Sequence, residues 1–178
     1  VVAHFDDDDL YAPGYLGYMC SQLLRHEGAQ RHRDLEEGAA RGPCVATLTQ
    51  WHLLDLEDLA FGFLDVRTDS WVPHLERRGW LYGWGFSYVF TGAAWRALPF
   101  PDAEFSEDIS WVEALMSRGV PVELLELPVE RAAHPQAVVA HTAHPSSCTG
   151  GEYAGCYSEA GLFVGWVRIG RAVKMPAA

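Results

Sequence analysis

Four consecutive aspartates, Asp6-Asp7-Asp8-Asp9, follow the apolar run Val1-Val2-Ala3-His4-Phe5. Adjacent carboxylates repel one another, and a hard divalent cation is the natural compensation. The apolar run reads as a buried strand, and open α/β sheets bind ligands at the carboxyl ends of their strands. The plain alternative is a solvated acidic turn in which Asp9 caps the next helix. An EF-hand loop does not fit, because Tyr11 stands where it needs glycine and Gly17 where it needs glutamate. A second acidic pair, Glu107-Asp108, comes one hundred residues after Asp8. By itself it reads as first-turn helix charge, favourable with the macrodipole. Between the two lie Trp80, Tyr82, Trp84, Phe86 and Trp95. Aromatic faces of this kind pack on the C–H faces of sugars, although core packing is their ordinary use. Trp84, flanked by Gly83 and Gly85, is the one assigned to line a donor or acceptor pocket.

The elements that must position these residues follow from pattern. Pro13 suits a first helical turn, and Leu16, Met19, Cys20, Leu23 and Leu24 form an amphipathic stripe. Gly28 is expected to close that helix, and Gln30–Gly42 reads as a surface loop. Cys44–Gln50, Phe61–Val66, Phe86–Thr91 and Val120–Leu127 read as strands. Ser106 opens a second helix that carries Ile109, Val112, Leu115 and Met116 inward and stops at Gly119. From Glu130 on, His, Pro, Ser, Gly and Cys dominate, and the segment reads as loop with one short helix at most. Strands alternating with helices favour a layered α/β domain.

Composition sets the outer bounds. A chain of 178 residues suits one domain and can bury roughly two-thirds of its unfolded surface. With 49% apolar and 21% charged residues it is an ordinary globular sequence, not a disordered one. Its net charge of −11 repels phosphate backbones, which argues against nonspecific nucleic-acid binding and suits divalent cations. No apolar run is long enough to span a bilayer, and no signal peptide is recognisable. The compartment stays open, with the cytoplasmic side favoured. Cys20, Cys44, Cys148 and Cys156 contain no C-x-x-C pair, so a zinc ribbon is not expected. Cys148 and Cys156 are close enough in sequence to pair, but free thiols are the simpler reading.

The segment from Phe5 through Asp6-Asp7-Asp8-Asp9 to Pro13 and Leu16 resembles the D-x-D-D-x-x-x-P-x-x-L stretch of family 2 glycosyltransferases of the GT-A fold. Gly85 to Phe90, Trp95, Pro99-Phe100 and Ser106-Glu107-Asp108 resemble that family's G-x-x-x-x-F…PF…ED stretch. The resemblance implies a GT-A-like, Rossmann-like mixed sheet flanked by helices. It assigns Asp8 as the direct metal ligand, Asp6 to the metal or the nucleotide ribose, and Asp9 to the donor side. The metal would be Mn²⁺ or Mg²⁺, the donor a nucleotide-diphosphate sugar, and the acceptor a carbohydrate or other hydroxyl. In inverting members the ED aspartate takes the acceptor's proton, a role that falls on Asp108 with Glu107 beside it. That chemistry needs a base within reach of the nucleophile and a separate metal–carboxylate site for the leaving diphosphate.

His144, followed by Pro145-Ser146-Ser147, matches the place where the family often carries a histidine, and makes a third metal ligand with His141 as second choice. A zinc site built from histidines, His134 included, is the competing chemistry. In the family the D-x-D strand lies in mid-sheet, so the resemblance implies that the N-terminal nucleotide-binding strands are missing. Residues 1–178 then form one partial domain, with a core at 1–129 and a loop-rich segment at 130–178. Such a piece is expected to bind nucleotide sugar weakly and not to transfer sugar alone. Two other readings remain: a non-catalytic glycan- or cation-binding module, and a metal-dependent hydrolase, for which no G-x-S-x-G or H-E-x-x-H motif speaks.

Overall fold

A computed structural model describes residues 1–34, 42–56, 60–70, 72–103, 106–127, 138–144 and 167–168. Nine strands are assigned among them: β1 (Val2–Ala3), β2 (Leu10–Tyr11), β3 (Val45–Leu48), β4 (Gln50–Asp55), β5 (Ala60–Asp65), β6 (Val89–Phe90), β7 (Val122–Leu125), β8 (Val139–Ala143) and β9 (Val167–Arg168). The helices are α1 (Tyr15–Asp34), α2 (Arg77–Tyr82), α3 (Gly92–Ala97) and α4 (Glu107–Ser117), with one 3-10 turn at Gly85–Ser87. The chain is therefore a mixed α/β protein. It holds two mixed sheets, ordered β1-β6-β3-β7 and β2-β8-β4-β5-β9.

The two sheets share one stretch of chain. β3 pairs in parallel with β7, and after the single residue Thr49 the chain continues as β4, parallel to β8. Thr49 holds the crossing: its N–H and its hydroxyl both donate to Leu125 O, at 2.9 and 3.1 Å, and its carbonyl accepts Val66 N–H. At the other end, β1 is an edge of the first sheet and β2 an edge of the second. The aspartate turn is the link between those two edges.

Strand alternation builds two cores on opposite faces of the first sheet. Ala46, Leu48 and Val89 pack with Tyr15, Met19 and Leu23 of α1, and with Trp51, Leu53, Phe86 and Val139. Val45, Tyr88 and Phe90 pack instead with Ala94 of α3 and Trp111, Val112 and Leu115 of α4. Trp111 also anchors the chain after α3, its indole N–H donating to Leu98 O at 2.6 Å.

Several expectations need correction. Val1–Phe5 is not a buried strand, since only Val2–Ala3 pairs and Val1, Val2 and Phe5 are exposed. β1 has one neighbour among the described residues, β6, and is an edge strand of its sheet. α1 runs past Gly28 to Asp34, and its inward face is Tyr15, Met19 and Leu23, while Leu16 and Leu24 are exposed. The aromatic Tyr15 took the position one residue ahead of the expected stripe. Residues 86–91 divide into the 3-10 turn and β6. β8, buried at all five positions, lies in what read as loop. The helices α2 and α3 carry no long apolar stripe and were not foreseen. Among the described residues, no helix is long and apolar enough to cross a membrane.

Candidate functional site

The turn at Asp6–Asp9 is closed by Asp9 N–H bonding to Asp6 O at 3.5 Å. It brings carboxylate oxygens of Asp6, Asp8 and Asp9 within 4.8 Å of one another, a set that could hold a metal ion. Asp7 is exposed and outside this set. The three members differ in setting. Asp8 is partly exposed, and its Oδ2 lies 2.9 Å from His144 Nε2. Asp6 is half-buried with its Oδ1 3.6 Å from His4 Nε2; burial pushes its carboxyl above the usual value, and His4 acts in the opposite sense.

Asp9 is the buried member. Its Oδ1 accepts from Thr142 N–H at 2.8 Å and lies 2.9 Å from His141 Nδ1. This arrangement ties the turn to β8. It also changes the reading of His141: its Nδ1 is taken by Asp9 and its Nε2 is enclosed without a partner. His141 is therefore held against a carboxylate of the candidate set. His144, held on Asp8, stays beside the turn. His134, Cys148, Cys156 and the Pro145–Ser147 segment lie outside the described residues.

One short segment, Trp84–Phe86, joins this turn to the second acidic pair. Gly85 N–H donates to Asp108 Oδ2 at 2.9 Å, and Ile109 N–H donates to Asp108 Oδ1 at 2.6 Å. Tyr11 OH donates to Phe86 O and accepts from Asp6 N–H, both at 3.0 Å. The His141 ring stacks on Phe86, with centroids 5.1 Å apart and planes 10° apart, and meets Trp84 edge-on at 5.0 Å. The aspartate turn and Asp108 are thus both hydrogen-bonded to this one segment.

Gly85 explains the closeness. A Cβ there would lie 3.2 Å from His4 Nδ1, 3.2 Å from Asp108 Cβ and 3.3 Å from Asp108 Oδ2. His4, whose other nitrogen faces Asp6, thus packs beside Gly85 with its Nδ1 buried and without a hydrogen-bond partner. Neither His4 nor Tyr11 was singled out in the sequence. The signal was weak, since each is one residue in an apolar or aromatic run. We expect Gly85→Ala to destabilise the fold by about 1–3 kcal/mol, the usual cost of overpacking. Any activity should fall further than stability does, because the methyl displaces the Asp108 carboxyl. Thermal melts beside turnover measure both, and an unchanged turnover would place Asp108 outside the chemistry.

Asp108 opens α4 and is half-buried. Burial pushes its carboxyl above the usual carboxylate value, against the pull of its two backbone N–H donors; the Glu107 charge adds to the rise. Ser106, just before it, is the one described non-glycine residue with positive φ, at 59°. Such a conformation is uncommon for serine. Comparison of the chain with protein-family models, curated proteins and solved structures returns no match.

Proposed function

We propose that the chain carries the metal-binding and catalytic half of an inverting, GT-A-like glycosyltransferase site. The observation that carries the reading is the shared Trp84–Phe86 segment. It contacts both groups: Phe86 O accepts from Tyr11, which holds Asp6 N–H in the three-carboxylate turn, and Gly85 N–H donates to the separate half-buried carboxyl of Asp108. This is what sugar transfer from a nucleotide diphosphate requires. Asp8, the exposed carboxylate with Asp6 beside it, would hold Mn²⁺ or Mg²⁺, which offsets charge on the leaving diphosphate. Asp108 would take the proton from the acceptor hydroxyl, with Glu107 as the adjacent charge. Asp9 supports the turn from below. His144 reaches the same cation through its place on Asp8. Trp84 lines the acceptor side.

A hydrolase using His141 and His144 on zinc is less well supported, because His141 Nε2 is enclosed and its Nδ1 faces Asp9. A glycan-binding module without turnover would use the same aromatic wall and differs only in lacking transfer.

The function is tested by incubating the protein with UDP- and GDP-linked sugars. Mn²⁺-dependent release of nucleoside diphosphate with inversion at the sugar carbon is expected. Release unaffected by EDTA, or none with any donor, would reject the reading. The metal half has its own test in Mn²⁺ calorimetry. Asp8→Asn should weaken binding at least tenfold, about 1.4 kcal/mol. Equal affinity in that variant would remove Asp8 from the ligand set.

A further inference from the structure

Tyr11 stands two residues beyond the aspartate turn, on β2, where it pairs with Val139 of β8. Its half-buried ring meets two others edge-on, with centroids 4.5 Å from Phe5 and 4.9 Å from Tyr15. A side chain held by its strand and by two rings has little freedom left, so its hydroxyl is delivered to one place. There the Tyr11 oxygen accepts from Asp6 N–H and donates to Phe86 O, each at 3.0 Å. Phe86 belongs to the buried 3-10 turn that leads into β6 of the first sheet, whereas Tyr11 belongs to the second.

A phenol donates one proton and still accepts, which is why a single hydroxyl fastens both backbones. Phenylalanine would keep the ring and lose both bonds. The two losses differ. Phe86 O has a second donor in the Tyr15 hydroxyl at 3.4 Å, and Gly85 N–H stays on Asp108 Oδ2 at 2.9 Å. Asp6 N–H has no second acceptor among the described residues. The turn is the side that comes loose.

We infer that Tyr11 is a positioning residue: its hydroxyl fixes the aspartate turn on the Phe86 segment, and with it the spacing between that turn and Asp108. It acts through the backbones of Asp6 and Phe86. Reacting groups misplaced by about 1 Å lose as much as roughly 10²-fold in rate, so such a fastening matters to chemistry as well as to folding. The effect on sugar transfer rests on the transferase reading; the fastening of the turn does not.

Tyr11→Phe tests both parts, with Tyr15→Phe beside it as the control that spares Asp6. Amide hydrogen exchange followed by NMR needs no ligand. Asp6 N–H should exchange about tenfold faster in Tyr11→Phe and at the parent rate in Tyr15→Phe, while Gly85 N–H keeps its rate in both. The melting temperature of Tyr11→Phe should fall by about 2–4 °C, as for one net hydrogen bond lost. In nucleotide release from UDP- and GDP-sugars, its kcat should fall about tenfold or more, with KM for the donor within about threefold. Asp6 exchange equal to the parent's would overturn the fastening. Faster exchange with kcat unchanged would overturn the positioning role. Faster exchange in the variant, with no nucleotide release by the parent protein, would sustain the fastening and sink the transferase reading.

Discussion

Asp108→Asn is expected to cut sugar transfer by about 10²–10⁴-fold, the usual worth of a general base. Binding of Mn²⁺ and nucleotide should survive, because Asp108 is outside the Asp6, Asp8 and Asp9 set that could hold the metal. Asparagine keeps one oxygen for Gly85 N–H but loses the acceptor of Ile109 N–H, so a stability measurement accompanies the assay. The pH dependence sharpens the test. Burial raises the Asp108 carboxyl above its ordinary 3.8, so the folded chain holds that proton more tightly than the unfolded one. Its contribution to stability is complete below 3.8 and is lost as pH rises through the raised value. Activity runs the other way, since only the ionised carboxylate accepts a proton. The rate should therefore climb over the pH interval in which this contribution fades. Asp108→Asn should flatten both trends. A variant within a few-fold of the parent would move the base elsewhere, Glu107 being nearest.

Asp9→Ala should cost about 3 kcal/mol of stability. It leaves His141 Nδ1 and Thr142 N–H buried without their acceptor, and breaking such a buried pair is among the larger single-residue effects. For a chain of this size that corresponds to a fall of about 6–12 °C in Tm. Asp6→Asn provides the contrast. Burial raises that carboxyl, so its neutral replacement should leave stability at neutral pH unchanged or higher. Urea melts of the two variants decide the matter. A loss below about 1 kcal/mol for Asp9→Ala would mean that the turn does not depend on β8.

Much of the candidate site was legible because it is carried by runs of like residues. Asp6–Asp9 and Glu107-Asp108 announce themselves, and strong apolar periodicity marked α4 through Ile109, Val112, Leu115 and Met116. The parts that were missed depend on long-range contacts. β8 is a strand because Asp9, β2 and β4 enclose it, while its His-rich and Pro-rich surroundings read as loop. His141 offered metal-ligand chemistry in sequence, yet its partner is Asp9, 132 residues away. Gly85 matched a motif, but its closeness to His4 is a property of β1 and β6 lying side by side. The mixed α/β class was readable from alternation, whereas the transfer of the chain from one sheet to the other at Thr49 was not.

The central claim is that the aspartate turn binds a metal–diphosphate and that Asp108 acts apart from it. Calorimetric titration of UDP and GDP, with Mn²⁺ and with EDTA, tests it most directly. One nucleotide should bind at least tenfold more tightly with Mn²⁺, lose that gain in Asp8→Asn, and keep it in Asp108→Asn. Binding that ignores the metal, or that follows Asp108 instead of Asp8, would contradict the account.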